Sequence, residues 1–498
     1  MRIALISSEA VPFSKTGGLA DVAGTLFREY NRMGIDASLF LPLYKVTSEH
    51  FRASLVDTGT EIDIPVGKIA KKCRVYTAGE QKRGNQGHGT VYFVSNDEYF
   101  GRDEMYCDAM GDYPDNDSRF IFFCKSVLEI CRKFNLVFDV LHCNDWQTAL
   151  IPLYLITLYW SGTFFKKTRT VLTIHNLGFQ GLFPTSTLEL TGLGWDIFNP
   201  EGIEFYGKVN FLKAGIISAD ILTTVSPTYA KEILTPEKGF GLDGMLRKRA
   251  DSLFGVLNGI DYTEWDPADD DLIPATYSKT NLSGKEKCKK ELISRCAFKG
   301  SQETPLLCFV GRLSAQKGID LITNSLDQLM KSSVNLFVLG KGDSRFEAIL
   351  RDSGRRYPGR VYIGIEFDES LAHLAYAGSD IFLMPSVYEP CGLGQMIAMR
   401  YGTVPVAYDT GGLADTIVSP GGHAERFFCE KVYGTIKETG FLFGRHSPEF
   451  FLGEIRKALC IYYNADIWRK LIKNAMGRDF SWKKSAAMYL QLYNKLLD

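Results

Sequence analysis

No stretch of this 498-residue chain stays apolar long enough to cross a bilayer. The longest candidate, Ala149 to Trp160, is broken by Pro152 and Thr157 and falls short of the roughly 20 residues a spanning helix needs. Cysteine offers no Cys-x-x-Cys pair and no His/Cys cluster at zinc spacing, and its count is an odd 11. That points away from a disulfide framework and toward reduced thiols in a cytoplasm. The seven histidines include no His-Glu-x-x-His or other ligand spacing, so no metal is expected. Charge of one sign is not in surplus: 57 Lys+Arg against 58 Asp+Glu give −1. Nothing therefore argues for nucleic acid as a partner. No complete G-x-G-x-x-G follows the first strand and no Walker A loop occurs, so dinucleotide and ATP readings lose ground. The opening Met1-Arg2-Ile3-Ala4-Leu5-Ile6 runs directly into a strand without a signal-peptide layout. The expectation is a soluble protein acting in the cytoplasm, with no membrane partner.

What is present is the composition of an ordinary globular protein, 45% apolar and 23% charged. The length implies roughly two to three domains. Short apolar runs alternate with helical patterns, the mark of parallel α/β folds. Candidate strands in the first half are Arg2–Ser7, Ala37–Leu41, Val91–Ser95, Val140–Cys143, Thr170–His175 and Ile221–Val225. A polar stretch from Asp261 to Thr304 breaks the rhythm and reads as connecting structure. Leu306–Val310, Asn335–Leu339, Arg360–Ile363, Asp380–Met384 and Val404–Ala407 then resume it. Asp479 to Asp498 reads as a terminal helix. In two doubly wound sheets the loops after these strands lie where ligands bind.

The most informative feature is a repeat. Thr16-Gly17-Gly18-Leu19-Ala20-Asp21 recurs unchanged as Thr410-Gly411-Gly412-Leu413-Ala414-Asp415. Paired glycines admit close backbone approach, and amides at a helix start attract phosphate. Two ordinary strand-to-helix turns would read the same way, but only the first copy carries a preceding Lys15. After Leu306–Val310, the loop Gly311 to Gly318 places Arg312 and Lys317 where both could reach one diphosphate. Charge-assisted bonds of this kind are worth about 1.5–3 kcal/mol each. Glu389 ends another strand in Pro385-Ser386-Val387-Tyr388-Glu389-Pro390-Cys391-Gly392-Leu393-Gly394, where a carboxylate beside helix-start amides suits a sugar hydroxyl next to a phosphate. His175-Asn176 and Asp145 also sit at strand ends, positions as often structural as functional.

Together these segments resemble bacterial glycogen synthases and plant starch synthases. The resemblance rests on Lys15 to Val22, Tyr113-Pro114-Asp115-Asn116, His175-Asn176-Leu177, Thr224-Val225-Ser226-Pro227, Gly241-Leu242-Asp243-Gly244, Leu257-Asn258-Gly259-Ile260-Asp261, the Arg312/Lys317 loop, Glu389 to Leu393 and the second Thr-Gly-Gly-Leu copy, all in family order. It implies the α/β GT-B architecture: two Rossmann-like, doubly wound domains facing across a deep interdomain cleft. Residues 1–250 would form the acceptor-side domain with the Lys15 loop, 251–476 the nucleotide-sugar domain, and 477–498 a helix crossing back. It implies transfer of glucose from ADP-glucose to the non-reducing end of an α-1,4-glucan (glycogen or a malto-oligosaccharide), with retention of configuration and without metal or cofactor. By the same resemblance Lys15, Gly17 and Gly18 meet donor phosphates, and Arg312 and Lys317 neutralise the leaving ADP. Glu389 holds glucose hydroxyls with the amides of Cys391, Gly392 and Leu393 nearby, and Thr410, Gly411 and Gly412 belong to the same donor site. His175 lies against the sugar near the reacting carbon; Asp145, Asn258, Glu9 and Asp21 line the pocket; Phe367 stacks on adenine.

Gln147, where many relatives have His, and Gly394, where many have a bulkier residue, depart from the family pattern, as does Ile397 from the second Glu of related glycosyltransferases. UDP-glucose as main donor, a nicotinamide-dependent dehydrogenase and a catalytically silent glucan-binding protein are the competing readings. The first is separated by donor comparison. The dehydrogenase lacks its glycine fingerprint, and the silent protein is disfavoured because Lys15, Arg312, Lys317 and Glu389 are all present.

Overall fold

The computed structural model describes residues 1–79, 89–108, 110–420 and 437–498. The chain forms two compact units, Met1–Asn258 with Trp482–Asp498, and Gly259–Ser481. The first is built on a nine-stranded sheet in the order Leu253–Gly255, Ile221–Thr224, Arg169–Ile174, Val140–Asn144, Arg2–Ile6, Asp36–Pro42, Thr90–Ser95, Ile69–Gly79, Val56–Val66. Its first seven strands run parallel. Ile3, Ala4, Leu5 and Ile6 are all fully buried, as a parallel strand covered on both faces demands.

The strand order reverses direction at Arg2–Ile6. From it the chain moves to Asp36–Pro42 on one side and later returns to Val140–Asn144 on the other. Loops at such a switch point open a crevice at the carboxyl ends of the strands. The second unit repeats this plan with six parallel strands: Val361–Gly364, Asn335–Leu339, Leu306–Val310, Ile381–Met384, Val404–Tyr408, Phe441–Phe443. Its switch point lies between Leu306–Val310 and Ile381–Met384, which brings the loop after 310 beside the loop after 384.

The strands expected from apolar runs all form, each end shifted by a single residue at most. Other elements were not expected. Val56–Val66 and Ile69–Gly79 form an antiparallel hairpin whose exposed positions carry charge, including Lys72 between Glu61 and Asp63 at 3.0 and 3.1 Å. Alternation with charged residues hides such strands from a search for apolar runs. The division between units falls after Asn258, not after Ala250, because Leu253–Gly255 adds an edge strand to the first sheet. The polar stretch 261–304 is not mere connection. Its helix Ser283–Arg295 buries Cys288 and Leu292, and Lys285 Nζ donates to the carbonyls of Ala377 and Tyr401 at 3.0 Å each. Residues 477–481 likewise belong to the second unit, and the terminal helix is Trp482–Leu497.

That helix buries Trp482, Ser485, Ala486, Tyr489 and Tyr493 on one face at helical spacing, and all of these but Ser485 share a core with Ile3, Leu5, Val22, Leu26 and Tyr30. Each buried ring contributes about 1.5–3 kcal/mol of apolar transfer. All ten cysteines of the described residues are free thiols, and Cys429 lies outside those residues. Among the described residues no helix is long and apolar enough to cross a membrane.

Candidate functional site

In the first unit, strand Arg2–Ile6 delivers Ser7-Ser8-Glu9 to the switch point, and the Gly-Gly loop folds back on it. The Glu9 carboxylate accepts the Thr16 N–H at 2.5 Å, the Thr16 hydroxyl at 3.0 Å and the Gly17 N–H at 3.3 Å. Burial raises the Glu9 pKa, and these bonds pull it back down. The Gly17 amide is thus already engaged by a carboxylate, whereas the expectation was an amide offered to phosphate. Helix Gly18–Arg32 starts immediately after, without a side-chain cap, so its first N–H groups have no helical partner. Lys15 Nζ donates to Asp21 Oδ1 at 2.7 Å, with Lys15 44% and Asp21 24% exposed. The two charged residues of the motif therefore hold each other across the helix start.

Strands Val140–Asn144 and Arg169–Ile174 bring Asp145 and His175 together. Asp145 has φ +57°, a left-handed conformation that Asp tolerates better than most residues. Its Oδ1 accepts the His175 N–H at 2.7 Å. Burial pushes its pKa up to about 7, against the bonds from the His175 and Asn176 amides and with a smaller push from the Glu9 charge. His175 Nε2 donates to Asn144 Oδ1 at 2.9 Å, and Asn144 Nδ2 donates to the Ile6 carbonyl at 3.0 Å. Burial lowers the His175 pKa to about 3, so the ring is neutral and offers its Nδ1 lone pair. Asn144 was not among the expected site residues, although it stands next to Asp145. Asn258 is buried, and its Oδ1 has no partner among the described residues.

In the second unit the two switch-point loops converge. Lys317 Nζ donates to Glu389 Oε2 at 2.6 Å, and Ser386 Oγ donates to the same oxygen at 2.9 Å. Glu389 is 7% and Lys317 26% exposed. Gly318 makes the approach feasible: at φ +72°, an added Cβ would lie 1.9 Å from the Pro385 carbonyl oxygen. The N–H groups of Gly392 and Leu393 precede helix Gly394–Arg400 and have no acceptor among the described residues. Arg312 is exposed and forms no ion pair among the described residues. The second Thr-Gly-Gly copy packs directly behind Glu389. A Cβ on Gly411 (φ +46°) would lie 2.0 Å from the Glu389 carbonyl oxygen, and one on Gly412 2.1 Å from that of Cys391. The Gly412 N–H bonds the Glu389 and Pro390 carbonyls at 3.1 and 3.2 Å. Its glycines thus serve close backbone packing. Phe367 is 89% exposed and stands apart from these groups after strand Val361–Gly364. Among the described residues no group of three or more His, Cys, Asp or Glu is arranged to hold a metal ion.

This geometry can be set beside known proteins. The family model described as "Starch synthase catalytic domain" matches residues 2–248, and "Glycosyl transferases group 1" matches 297–475. Glycogen synthase of Thermodesulfovibrio yellowstonii is 46% identical over 504 residues, covering 100% of this chain and 98% of its own length. Glycogen synthase of Thermotoga maritima is 41% identical over 504 residues, with coverage of 100% and 99%. The catalytic domain of starch synthase IV from Arabidopsis thaliana, solved with ADP and acarbose, superposes with a TM-score of 0.87 at 29% identity, covering 100% of this chain and 99% of that one. Sucrose-phosphate synthase of Thermosynechococcus elongatus shares the fold at a TM-score of 0.61 and 16% identity, with coverage of 99% and 98%. With both switch-point loops and full-length similarity in agreement, the chain belongs to the glycogen synthase and starch synthase family and is a glycosyltransferase of GT-B architecture.

Proposed function

We propose that the chain transfers glucose from ADP-glucose to the non-reducing end of an α-1,4-glucan, glycogen or a malto-oligosaccharide, with retention of configuration and release of ADP. The observation that carries this reading is the Lys317–Glu389 pair at 2.6 Å beside the open N–H groups of Gly392 and Leu393. A cation, a carboxylate and helix-start amides in one place suit a sugar hydroxyl next to a diphosphate. The ADP bound to the Arabidopsis relative supports an adenine nucleotide as the leaving group.

In this mechanism the acceptor hydroxyl attacks the anomeric carbon on the face from which the diphosphate departs. The bond from the anomeric carbon to the diphosphate breaks as the new glycosidic bond to the acceptor oxygen forms, and a diphosphate oxygen takes the hydroxyl proton. Arg312 and Lys317 neutralise the negative charge that develops on the diphosphate. Glu389 orients the glucose hydroxyls. Lys15 exchanges Asp21 for a donor phosphate, with Gly18 at the helix start assisting. His175, neutral and held by Asn144, lies against the sugar near the reacting carbon; Asp145, Glu9, Asp21 and Asn258 shape that wall. Cys391, Gly392 and Leu393 present amides, the Thr410-Gly411-Gly412 turn buttresses Glu389, and Phe367 offers a ring face to the base. Free thiols at every described cysteine fit action in the cytoplasm.

The test is incorporation of labelled glucose into glycogen from ADP-glucose and UDP-glucose in parallel. Transfer from ADP-glucose at the higher kcat/KM is expected. A preference for UDP-glucose would overturn the donor assignment, and no transfer from either would overturn the reaction.

A further inference from the structure

Four hydroxyls and one imidazole form a buried line through the first unit. Tyr30 OH donates to Tyr493 OH at 3.0 Å, and Tyr493 OH meets His142 Nδ1 at 2.6 Å. His142 Nε2 meets Thr173 Oγ1 at 2.6 Å, and Thr173 Oγ1 meets Thr223 Oγ1 at 2.6 Å. None of the five side chains is more than 1% exposed. Burial, aided by nearby His175, lowers the His142 pKa to about 3, so its ring is neutral. A neutral imidazole has one donor and one acceptor nitrogen. Tyr493 already accepts from Tyr30, so its own proton goes to Nδ1. The His142 hydrogen therefore sits on Nε2 and is donated to Thr173. The bonds from Tyr30 through Tyr493 and His142 to Thr173 then each have a single direction, and the ring has a single orientation; in the last bond either threonine can donate.

The line runs directly beneath the His175 region. Side chains two apart on a strand share a face, so His142 lies below Asn144 and Thr173 below His175. Asn144 and Thr173 are themselves register partners across the two strands. Above them, Asn144 Oδ1 holds His175 Nε2 at 2.9 Å. The terminal helix thus bonds one of the two strands directly, at His142, and the other through His142 and Thr173, one alternation from this pair.

We propose that Tyr493 of the terminal helix is a positioning residue for the His175 imidazole, acting through His142 and Thr173 on the strands that bear Asn144 and His175. Its effect on rate rests on the glucosyl-transfer reading; its effect on the imidazoles does not. Without the Tyr493 hydroxyl, His142 Nδ1 loses its donor inside a dry core, and the ring no longer has one preferred tautomer. The strand ends above then relax, and a reaction that depends on near-attack geometry slows even for small displacements.

The experiment is Tyr493→Phe, which removes one oxygen and keeps the ring. Three quantities are measured beside wild type: imidazole ¹⁵N shifts of His142 and His175, kcat with donor KM, and the melting temperature. Expected are mixed-tautomer shifts at His142, displaced shifts at His175, and a kcat about fivefold lower at little-changed KM, the rate equivalent of one hydrogen bond. Thr173→Val breaks the line from its other side and should act alike, and the double variant should lose no more than the worse single one. Unchanged His175 shifts with kcat within about twofold of wild type, whatever the melting temperature does, would overturn the proposal; so would independent, multiplying losses in the double variant. If wild type itself transfers no glucose, the reaction assignment fails alone, and the ¹⁵N shifts still decide the role of Tyr493.

Discussion

The Lys317 ammonium and the Glu389 carboxylate meet at 2.6 Å, with the carboxylate 7% and the ammonium 26% exposed. A pair this dry is sensitive to loss of either charge. Glu389→Gln keeps the shape but leaves the ammonium without its counter-charge. We expect kcat to fall by about a hundredfold or more, with a smaller change in donor KM, because the carboxylate orients the glucose and fixes Lys317, whose charge counts most as the diphosphate leaves. Stability should drop by about 1–2 kcal/mol, moderated by the water that reaches Lys317. Steady-state rates and a urea melt check both. Near-wild-type kcat would remove Glu389 from the reaction.

Lys15 behaves differently because its partner bond with Asp21 is half in solvent. An exposed ion pair is worth about 0–1 kcal/mol, so Lys15→Ala should melt almost as wild type does. Its contribution appears only with donor present. Losing one charge-assisted phosphate bond should raise donor KM by about tenfold or more. A KM unchanged in titrations of donor at saturating glucan would count against that role.

Asp145 gives stability a pH dependence of known sign. Its pKa rises from 3.8 unfolded to about 7 folded, chiefly by burial. A raised folded pKa means the folded state holds a proton that the unfolded state releases. The stability this contributes is complete below the unfolded pKa and is lost as pH rises toward 7. Asp145→Asn keeps the acceptor for the His175 N–H but cannot ionise. The stability of the variant relative to wild type should therefore increase between pH 4 and 7 and then level off. Chemical denaturation across that range reads the difference, in which the histidine contributions cancel; a flat difference would contradict the burial argument.

Two glycines should answer alanine in opposite ways. Gly318 combines φ +72° with a backbone oxygen 1.9 Å from an added Cβ, so Gly318→Ala must separate the loops that hold Lys317 and Glu389. A loss of about 2 kcal/mol or more is expected, with activity falling in parallel. Gly453 lies inside helix Pro448–Tyr462 with nothing within 4 Å of the added Cβ. Gly453→Ala should stabilise by about 0.5–1 kcal/mol. Thermal melts of both variants settle the contrast.

The parallel core was readable because Ile3–Ile6, Leu306–Val310 and Ile381–Met384 are short apolar runs, and a strand buried on both faces cannot look otherwise. The hairpin Val56–Val66 with Ile69–Gly79 was hidden because one face of it is open to water and carries Asp57, Glu61, Asp63, Lys72 and Arg74 among its residues. The edge strand Leu253–Gly255 is too short to announce itself and owes its place to Ile221–Thr224. In the site, the types Lys, Arg, Glu and Gly after strands were visible, but their pairing was not. Nothing in Thr16 or Gly17 says that Glu9 takes their amides, and nothing in the second repeat says that Gly411 and Gly412 abut the Glu389 backbone. Such matches are made by tertiary approach, which one-dimensional spacing does not encode.

The first unit is assembled from both ends of the chain, and this has a consequence for the order in which it can form. During synthesis the residues of Gly259–Ser481 emerge before Trp482, so the second unit has its whole sequence available while the first still lacks its last helix. Until then Tyr30 lacks its Tyr493 partner and the face of helix Gly18–Arg32 that meets the terminal helix is uncovered, a surface open to chaperones and to aggregation. Nascent chains arrested before residue 482 should hold a protease-sensitive first unit beside a resistant second one. The sixteen residues of Trp482–Leu497 act in this sense as a completion signal: the half of the enzyme made first matures last.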